Sequence, residues 1–475
     1  MGRIDLLDLV GSKTIDYFSN IEKENLSKKS ITHWVQALHI VGEASFTQGD
    51  YDKSYQSFLK ADEILVYEIS QQSQNVSLLE KHMLGNYWLG YLNLIKKDYN
   101  KSTEYWEKYL DSSQKLSAQQ PNIKKWQLET SYAYNNLGTL AVKTSQLHSA
   151  NDYFNNSIEI KKNLLAKQPQ DQVLMADLAD SISWLGKVKE REGDLKQKLL
   201  INLQSLKLSR ELIELNPNNP QWLHRLSIAL HRVAISYYDF GNLIKSKISI
   251  AESIDTMEKL VKNDKDNFTL KKELIFNYLL VAKINRHQGN VDKGLFYIQK
   301  SQGLLDIFKT HLKYSNKIAS YNINLIIEQA IIMNNLNQNE SALQSIKKAE
   351  SIWQDYFANK ENISTNEAAQ VDLALIIFTK FSILNDINKN TNHMALLMPP
   401  LKSLKPFINN QPNHFKTIAL YLKILKHSNN SGRDNKLEKK LKLVNYLNPD
   451  FTSTVSKNNM NVLNSKQSVE ISLSQ

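Results

Sequence analysis

The sequence predicts an all-α fold, an α-solenoid built from antiparallel helical hairpins. Three observations indicate it: a turn motif returns every 48 residues, a column of small residues keeps the same interval, and prolines at that interval separate the units. A constant period of this length is typical of repeat proteins, in which each unit buries its apolar face only against its neighbours. The 475 residues therefore need no division into separate globular domains.

The recurring element is a short polar turn, seen in TQGDYDKS (47–54) and REGDLKQK (191–198). Steps of 48 residues, with no insertion or deletion, reach eight such positions: Gly49, Lys97, Ser145, Gly193, Gly241, Gly289, Asn337 and Asn385. Glycine adopts the left-handed conformation that closes a helix, and the Asp or Asn that often follows it can cap the next one. Each turn thus predicts the end of one helix and the start of another.

Two further columns predict that the two helices of a unit pack closely. Seven residues before the turn the side chain is small: Gly42, Gly90, Gly138, Gly186, Ala234, Ala282 and Ala330. Nine residues after the turn it is large and apolar: Phe58, Trp106, Phe154, Ile250, Ile298 and Ile346. Asn202 breaks the second column, and Lys198 breaks a column of small residues five positions after the turn. Large and small side chains interlock in this way where antiparallel helices pack.

Prolines mark the boundary between one hairpin and the next. Pro121, Pro169 and Pro217 lie 48 residues apart, each well after a turn. Proline lacks the amide hydrogen and clashes inside a helix, so it separates units. We therefore predict an N-terminal entry helix in residues 1–30, seven to eight hairpins in 31–398, basic capping helices in 399–447 and a disordered tail in 448–475.

The repeat resembles the tetratricopeptide repeat. LGYLNLIKKDYNKSTEYWEKY (89–109) and LGTLAVKTSQLHSANDYFNNS (137–157) show its order of residues, a Leu-Gly pair, a turn, then small, aromatic and small positions. In the first copy the matching residues are Leu89, Gly90, Tyr99, Ser102, Trp106 and Tyr109, the last bulkier than the family's usual alanine. The family's unit has about 34 residues, so the helices here are longer. The resemblance implies a right-handed superhelix whose concave face binds proteins or peptides.

Two other segments narrow this resemblance. LNPNNPQWLHRLSIALHRVA (215–234) and GRIDLLDLVG (2–11) are similar to long-helix tetratricopeptide regions that follow effector domains in bacterial signalling proteins, including Ser/Thr kinases and winged-helix regulators. The resemblance implies a role in bacterial signalling or regulation. Two interpretations stay open: a free-standing adaptor, and the detached sensor half of a signalling kinase system whose effector is a separate chain.

Composition argues against several classes of protein. The chain has no cysteine, which excludes disulfides and thiolate metal sites. Asp5, Asp8 and Asp16 interrupt the N-terminal apolar residues, unlike a secretory signal. No apolar run approaches the roughly 20 residues that span a bilayer. We therefore expect a cytoplasmic protein without a membrane span.

The motifs also argue against an enzyme. The 11 histidines are scattered and form no H-E-x-x-H motif, and no G-x-x-x-x-G-K-[ST] or G-x-G-x-x-G loop is present to hold phosphate. His224 and His231 are seven residues apart and indicate a shared helix face rather than a metal site. We predict no catalytic, metal-binding or cofactor-binding residues, and no cofactor.

The positive charge is concentrated near the C-terminus. Residues 402–475 hold 12 Lys and Arg against 4 Asp and Glu, a net +8 of the total +11. In FKTIALYLKILKHSNNSGRDNKLEKKLKLVNYL (415–447), Lys416, Lys423 and Lys426 lie beside an apolar face that includes Phe415 and Ile418. One interpretation is a basic amphipathic helix that meets anionic lipid, nucleic acid or an acidic protein. The other is a terminal helix that covers the end of the solenoid.

The first helix of each hairpin is expected to line a concave groove. Its candidate ligand-binding residues are Tyr87, Tyr91, Lys143, Lys187, Arg191, His231, Lys283 and Arg286. The cations can bind carboxylates and the tyrosines offer flat apolar contacts. The alternative is that they are ordinary solvated lysines and half-buried tyrosines. We predict a non-catalytic scaffold or sensor that binds an acidic or mixed peptide; the alternative is a nucleic-acid-associated regulator that uses the basic C-terminal segment.

Overall fold

The computed structural model describes residues 2–20, 27–311, 315–361, 363–388, 391–411, 413–428 and 434–452. Within these ranges the chain forms twenty α-helices, three short π or 3-10 turns and no strand, which confirms the predicted all-α fold of helical hairpins. The helices are α1 (Gly2–Ser19), α2 (Lys28–Gln48), α3 (Tyr51–Gln71), α4 (Val76–Lys96), α5 (Tyr99–Gln119), α6 (Lys124–Lys143), α7 (Leu147–Lys167), α8 (Gln172–Glu192), α9 (Leu195–Leu215), α10 (Pro220–Asp239), α11 (Leu243–Asn263), α12 (Phe268–His287), α13 (Val291–His311), α14 (Asn316–Asn335), α15 (Asn339–Trp353), α16 (Glu367–Ile387), α17 (Met398–Asn410), α18 (Phe415–His427), α19 (Asn435–Leu443) and α20 (Pro449–Thr452).

The helices group into two compact units, Met1–Val188 and Lys189–Gln475, called unit 1 and unit 2 below. In unit 1, α2 packs on α3, α4 on α5 and α6 on α7. In unit 2, α10 packs on α11, α12 on α13 and α14 on α15. Each pair is a hairpin, because only a two- or three-residue turn joins helices of 15 to 21 residues that touch.

The predicted turns adopt the left-handed backbone conformation at seven of the eight positions. The angle φ is +85° at Gly49 and +87° at Gly193, and it is +62° at Lys97, where the turn has no glycine. The eighth position, Asn385, lies inside α16 instead, so the predicted eighth turn is wrong. Its neighbour Asp386 accepts a hydrogen bond from the Asn334 amide (2.6 Å) and does not cap a following helix.

Each turn satisfies the free backbone groups at the helix end in the same way. The Asp50 amide donates to the Ser45 carbonyl (2.9 Å) and the Gly49 amide to the Phe46 carbonyl (3.0 Å). This pair of bonds is the Schellman motif, which requires the left-handed residue. The Asp50 carboxylate then accepts from the Lys53 amide (3.0 Å) and caps the next helix. The recurring turn signal in the sequence therefore encodes two caps.

The small column lets a large side chain sit directly against the backbone of the partner helix. A Cβ atom on Gly90 would lie 2.3 Å from the indole Cδ1 of Trp106, and one on Gly42 would lie 2.6 Å from the ring of Phe58. Ser102, which follows the turn, donates from its hydroxyl to the Gly90 carbonyl (2.9 Å). In these hairpins the two helices are therefore so close that a Cβ atom at the glycine would overlap the ring of the partner helix.

The C-terminal helices of unit 2 turn back onto earlier helices. Leu195 of α9 shares one apolar cluster with Phe378 of α16 and with Phe415 and Ile418 of α18. The side-chain amide of Asn413 donates to the Glu192 carbonyl (2.8 Å). The predicted capping helices of residues 399–447 thus do more than cover the last hairpin.

The disordered tail predicted for residues 448–475 starts too early. Asn448 is buried, and Pro449–Thr452 form the short helix α20. The Leu447 amide, one residue before, donates to the Asp239 carbonyl (2.8 Å), which joins this segment to the end of α10. The rest of the predicted tail, residues 453–475, lies outside the described residues.

We expect Gly90→Ala to lower the free energy of unfolding by about 1–3 kcal/mol, because the new methyl group would overlap the rigid Trp106 indole. Gly303→Ala is the control for helix propensity, since no atom lies within 4 Å of a Cβ there. It should raise stability by about 0.5–1 kcal/mol. Urea denaturation followed by circular dichroism measures both; equal effects at the two glycines would contradict the close packing.

Candidate peptide-binding face

The candidate residues of unit 1 lie on α4, α6 and α8. Tyr87 and Tyr91 are half-buried and stack on each other, with ring centroids 6.3 Å apart and planes 5° apart. Burial raises the pKa of the Tyr87 phenol. Lys143 and Lys187 are exposed. The structure therefore offers an aromatic pair in unit 1 but does not bring these two lysines into a buried site.

His231 takes part in helix packing. Its ring Nδ1 lies 2.7 Å from the Asn277 amide oxygen, and the Asn277 amide nitrogen donates to the Ser253 hydroxyl (2.9 Å). These three residues link α10, α11 and α12. Burial lowers the pKa of His231 to about 4. Its polar atoms are thus engaged in a network between hairpins rather than on an open surface.

Lys283 and Arg286 of α12, by contrast, meet at a partly buried carboxylate. The carboxylate belongs to Asp450 in α20, and Lys283 Nζ is 2.9 Å from its Oδ2. Arg286 Nη2 is 2.6 Å and His287 Nε2 2.9 Å from its Oδ1. The Tyr238 hydroxyl of α10 also donates to Oδ1 (3.0 Å). Lys283 and Arg286, two of the predicted groove residues, therefore form a carboxylate-binding site together with Tyr238 and His287.

The surrounding charges explain why this carboxylate is ionised. Burial opposes ionisation of Asp450, but Lys283, Arg286 and the bond from His287 outweigh it and hold the pKa of the carboxyl well below its usual range. Arg286 is also bound by Glu328 of α14, with Nε 2.5 Å from Oε1. Burial lowers the pKa of His287, so its neutral form is favoured at this position. The site thus binds an anion through two permanent cations and two neutral groups.

The backbone around Asp450 is held as firmly as its side chain. Asn448 donates from its amide nitrogen to the Asp239 carboxylate (3.0 Å) and accepts from the Asp450 amide through its side-chain oxygen (3.0 Å). The Lys423 ammonium of α18 donates to the Asp450 carbonyl (2.6 Å). An Asn before a Pro favours such a turn into a first helical position. The sequence NPDF (448–451) therefore folds locally in a way that presents the carboxylate.

Asp239 connects this site to the irregular copy of the repeat. Lys198 stands in the column of small residues five positions after the turn. Its side chain is buried between Glu190 Oε1 (2.8 Å) and Asp239 Oδ2 (3.2 Å). Asn202 occupies the large apolar column and donates to the Ser236 hydroxyl (3.0 Å). Sequence analysis missed Asp239, but the two breaks in the columns were the signal for a polar site at these helices.

One cavity adjoins the carboxylate-binding site, and a second cavity shares two lining residues with the first. One, of about 190 Å³, is lined by Lys283, Arg286, Glu328 and Phe451 among others. The other, of about 280 Å³, is lined by Phe276, Tyr321 and Asp372. Lys416 and Asn324 contact both cavities. Desolvation by the surrounding protein atoms and the positive charge of Lys283 lower the pKa of Lys416.

Arg191, the remaining candidate, lies at the end of α8 in unit 2. Burial opposes ionisation of the nearby Glu367 carboxyl. The hydrogen bonds from His414 and Thr417, together with the positive charge of Arg191, outweigh burial and lower the pKa of this carboxyl. His414 Nδ1 is 2.8 Å from Glu367 Oε2. Arg191 is thus near a second polar contact between the C-terminal helices and the rest of unit 2.

The described part of the chain contains neither a cluster of metal-binding side chains nor a helix that could cross a membrane. No group of three His, Asp or Glu side chains there is arranged to hold a metal ion. None of the helices in the described ranges combines the length and the apolar character needed to cross a bilayer.

No family model matches this chain, and no curated protein does. Among solved structures it is similar to BtubC (BKLC) from P. vanneervenii, at 16% identity and a TM-score of 0.41, over 56% of this chain and 93% of that one. It is also similar to apo RapI, at 10% identity and a TM-score of 0.43, over 68% of this chain and 99% of that one. A tetratricopeptide repeat protein from Parabacteroides merdae has 13% identity and a TM-score of 0.36, over 72% of this chain and 98% of that one. This likeness concerns the fold alone.

His39 of α2 lies ten residues before its turn residue, Gly49, as His231 lies ten before Gly241. Unlike His231, it is buried in the core. Its ring lies against Phe58, with centroids 5.4 Å apart, and its Nε2 has no hydrogen-bond partner among the described residues. Burial and the charge of Lys81 lower its pKa to about 3. Between about pH 6.5 and pH 3, His39 is therefore protonated in the unfolded chain but neutral in the folded chain.

We expect the stability of unit 1 to fall as the pH drops below 6.5, with His39 contributing about 2 kcal/mol of that loss at pH 5. His39→Leu should remove this contribution, so its free energy of unfolding should change less between pH 7.5 and pH 5. Urea titrations at both pH values measure the difference. His148→Leu is the matched control, because the His148 side chain is 95% exposed. Identical pH dependence in the two variants would contradict the assignment.

Proposed function

We propose that the chain is a non-catalytic protein-interaction scaffold that binds an acidic peptide segment on α10, α12 and α14 of unit 2. One observation carries this proposal: the carboxylate of Asp450 is bound there by Tyr238, Lys283, Arg286 and His287. A segment of the chain itself thus occupies the face in the way expected of a ligand. We call the residues Tyr238, Lys283, Arg286 and His287 the acid-binding site, and residues 446–452 the C-terminal strap.

The charge balance favours an acidic ligand. Without Asp450, the side chains that line the cavity of about 190 Å³ would carry four cations, the exposed Lys416 and the partly buried Lys283, Arg286 and Lys423, against one acid, Glu328. Leaving buried cations unpaired costs several kcal/mol, whereas a carboxylate in reach restores charge-assisted bonds. An apolar or basic segment cannot replace Asp450, because it would leave these cations unpaired. The ligand therefore needs at least one carboxylate.

The neighbouring contacts define more of the ligand. The Asp239 carbonyl accepts the main-chain amide of Leu447, a bond that does not depend on the side chain, and the Asp239 carboxylate accepts from the Asn448 side chain. Phe451 follows the acid and packs at the edge of the apolar cluster that contains Phe415. The site is therefore built for a carboxylate followed at once by an apolar side chain. Specificity comes from this order, because main-chain contacts are shared by all peptides.

The basic C-terminal segment supports this proposal better than the nucleic-acid alternative. Lys423 donates to the Asp450 carbonyl, and Lys416 lines both cavities. Lys423 thus binds within unit 2, whereas Lys416 contacts the cavities with an exposed side chain. No observation in the described residues favours a nucleic acid or assigns the chain to a signalling system.

A labelled peptide YLNPDFT, identical to residues 446–452, provides the test. The target is the full chain with Asp450→Ala and Phe451→Ala, whose own strap lacks the acid and the ring. We expect saturable binding by fluorescence anisotropy, and at least tenfold weaker binding of YLNPNFT, because one charge-assisted bond contributes about 1.5–3 kcal/mol. Equal binding of the two peptides, or none of either, would reject the proposal.

Charge reversal places the binding on the molecule. Lys283→Glu with Arg286→Glu should abolish binding of YLNPDFT, since both cations contact the acid. Lys259→Glu with Lys265→Glu makes the same change in net charge at two exposed positions of the same unit and should leave the affinity within twofold. Circular dichroism verifies that helix content is retained in each. Equal losses in both double variants would mean that only net charge matters.

A further inference from the structure

The acid-binding site is already filled in the isolated chain. The strap supplies the carboxylate, a backbone amide and a backbone carbonyl, each with a partner in α10, α12 or α18. Any external segment must therefore compete with residues 446–452 before it can bind. This competition rests on the proposed function, because it concerns the same site.

The contacts of the strap are of a kind that another peptide can reproduce. Leu447 and Asp450 use main-chain atoms to bond Asp239 and Lys423. The specific side-chain contacts come from Asn448 and Asp450, both polar and short. If the carboxylate of an external peptide replaces that of Asp450, Lys283 and Arg286 have an anionic partner both before and after the exchange. The route to release is therefore easy for an acidic ligand and costly for any other.

The packing of the strap is uneven along its length. Tyr446 is buried against Phe415, with ring centroids 6.0 Å apart. Phe451 at the other end is only half-buried and borders the cavity of about 190 Å³. A void beside an apolar side chain means that contacts are lost on one side. The Asp450–Phe451 end thus has weaker apolar packing than the Tyr446 end.

We infer that the C-terminal strap is an autoinhibitory segment, a built-in competitor that partners bearing an acidic residue followed by an aromatic one must displace. The tether gives the strap an effective concentration on the order of 1 mM at the site. If the strap sequence itself has an intrinsic Kd of about 100 µM for the open site, a free peptide would bind the intact chain about tenfold more weakly than the open site. The strap sets a threshold of affinity or local concentration that a partner has to exceed.

The absence of cysteine in the sequence makes a reversible test available. A Cβ on Gly241 would lie 3.4 Å from the Leu447 Cβ, close to the spacing that a disulfide needs. Gly241 has φ +72°, and Lys97, Ser145 and Asn337 adopt similar angles at the equivalent turns, so the backbone conformation accepts a side chain. The new Cβ would lie 3.0 Å from the Leu447 carbonyl oxygen, so Leu447 has to shift by a few tenths of an ångström. Gly241→Cys with Leu447→Cys can therefore lock the strap when oxidised and free it when reduced.

The experiment titrates labelled YLNPDFT into four forms of the full chain: wild type, Asp450→Ala with Phe451→Ala, and the double-cysteine variant oxidised and reduced. We expect the alanine variant to bind at least tenfold more tightly than wild type. The reduced cysteine variant should match wild type, and the oxidised one should bind at least tenfold more weakly. Wild type under the same redox treatment is the control, since it has no thiol.

The outcomes separate the two proposals. Equal affinity for all four forms would overturn autoinhibition while leaving the acid-binding site in place. Loss of binding in every form, the alanine variant included, would overturn the proposed function itself. Dimers that increase with protein concentration in light scattering would show that the strap exchanges between copies, which would overturn a competitor acting within one chain.

Discussion

The approach of two paired helices over a single glycine or alanine sets the geometry of the hairpins. Where Trp106 rests on Gly90, the ring fills the space that a side chain on the partner helix would need. This contact fixes the separation of the helices in a hairpin and recurs at the same place in the next copies. Consecutive first helices then lie beside each other, as α10 does with α12 and α12 with α14. Equivalent positions of successive repeats thus come to one face.

The acid-binding site arises because the repeat is interrupted at one copy. Lys198 and Asn202 replace a small and a large apolar residue in α9, and their polar groups bind Asp239 and Ser236 of α10. A lysine in a packed seam is tolerated because two carboxylates are in reach of it. Asp239, oriented by Lys198, is then available to the C-terminal strap. The irregularity in the repeat and the binding of the strap are therefore one structural feature.

The buried charges of unit 2 favour specificity over stability. An ion pair taken out of water gains little net free energy, because desolvation offsets most of the attraction, but removal of one partner is costly. Asp450 among Lys283 and Arg286 therefore allows few alternative placements of the strap. The same property makes the site selective, since a segment without a carboxylate leaves the cations unpaired. We interpret the cluster as a recognition element rather than as a source of stability.

The sequence by itself determined the hairpins, because their signals are local. A left-handed turn residue, a following cap and a small-large pair act within about 20 residues, and seven of eight predicted turns formed at the expected positions. It also predicted Lys283 and Arg286 as neighbouring candidate groove cations. It did not reveal that Asp450, more than 160 residues away, binds both. That contact depends on how the C-terminal helices fold back, which no repeat period encodes.

Burial was likewise decided by the tertiary structure. His39, Tyr87 and His231 occupy the same column of the repeat, yet the first lies in the core, the second stacks on Tyr91 and the third bonds Asn277. A column predicts which way a side chain points from its helix, but its exposure depends on the neighbouring hairpin and on whatever covers the face. In unit 2 the C-terminal strap covers it, through charges and main-chain bonds that act only once the helices are assembled.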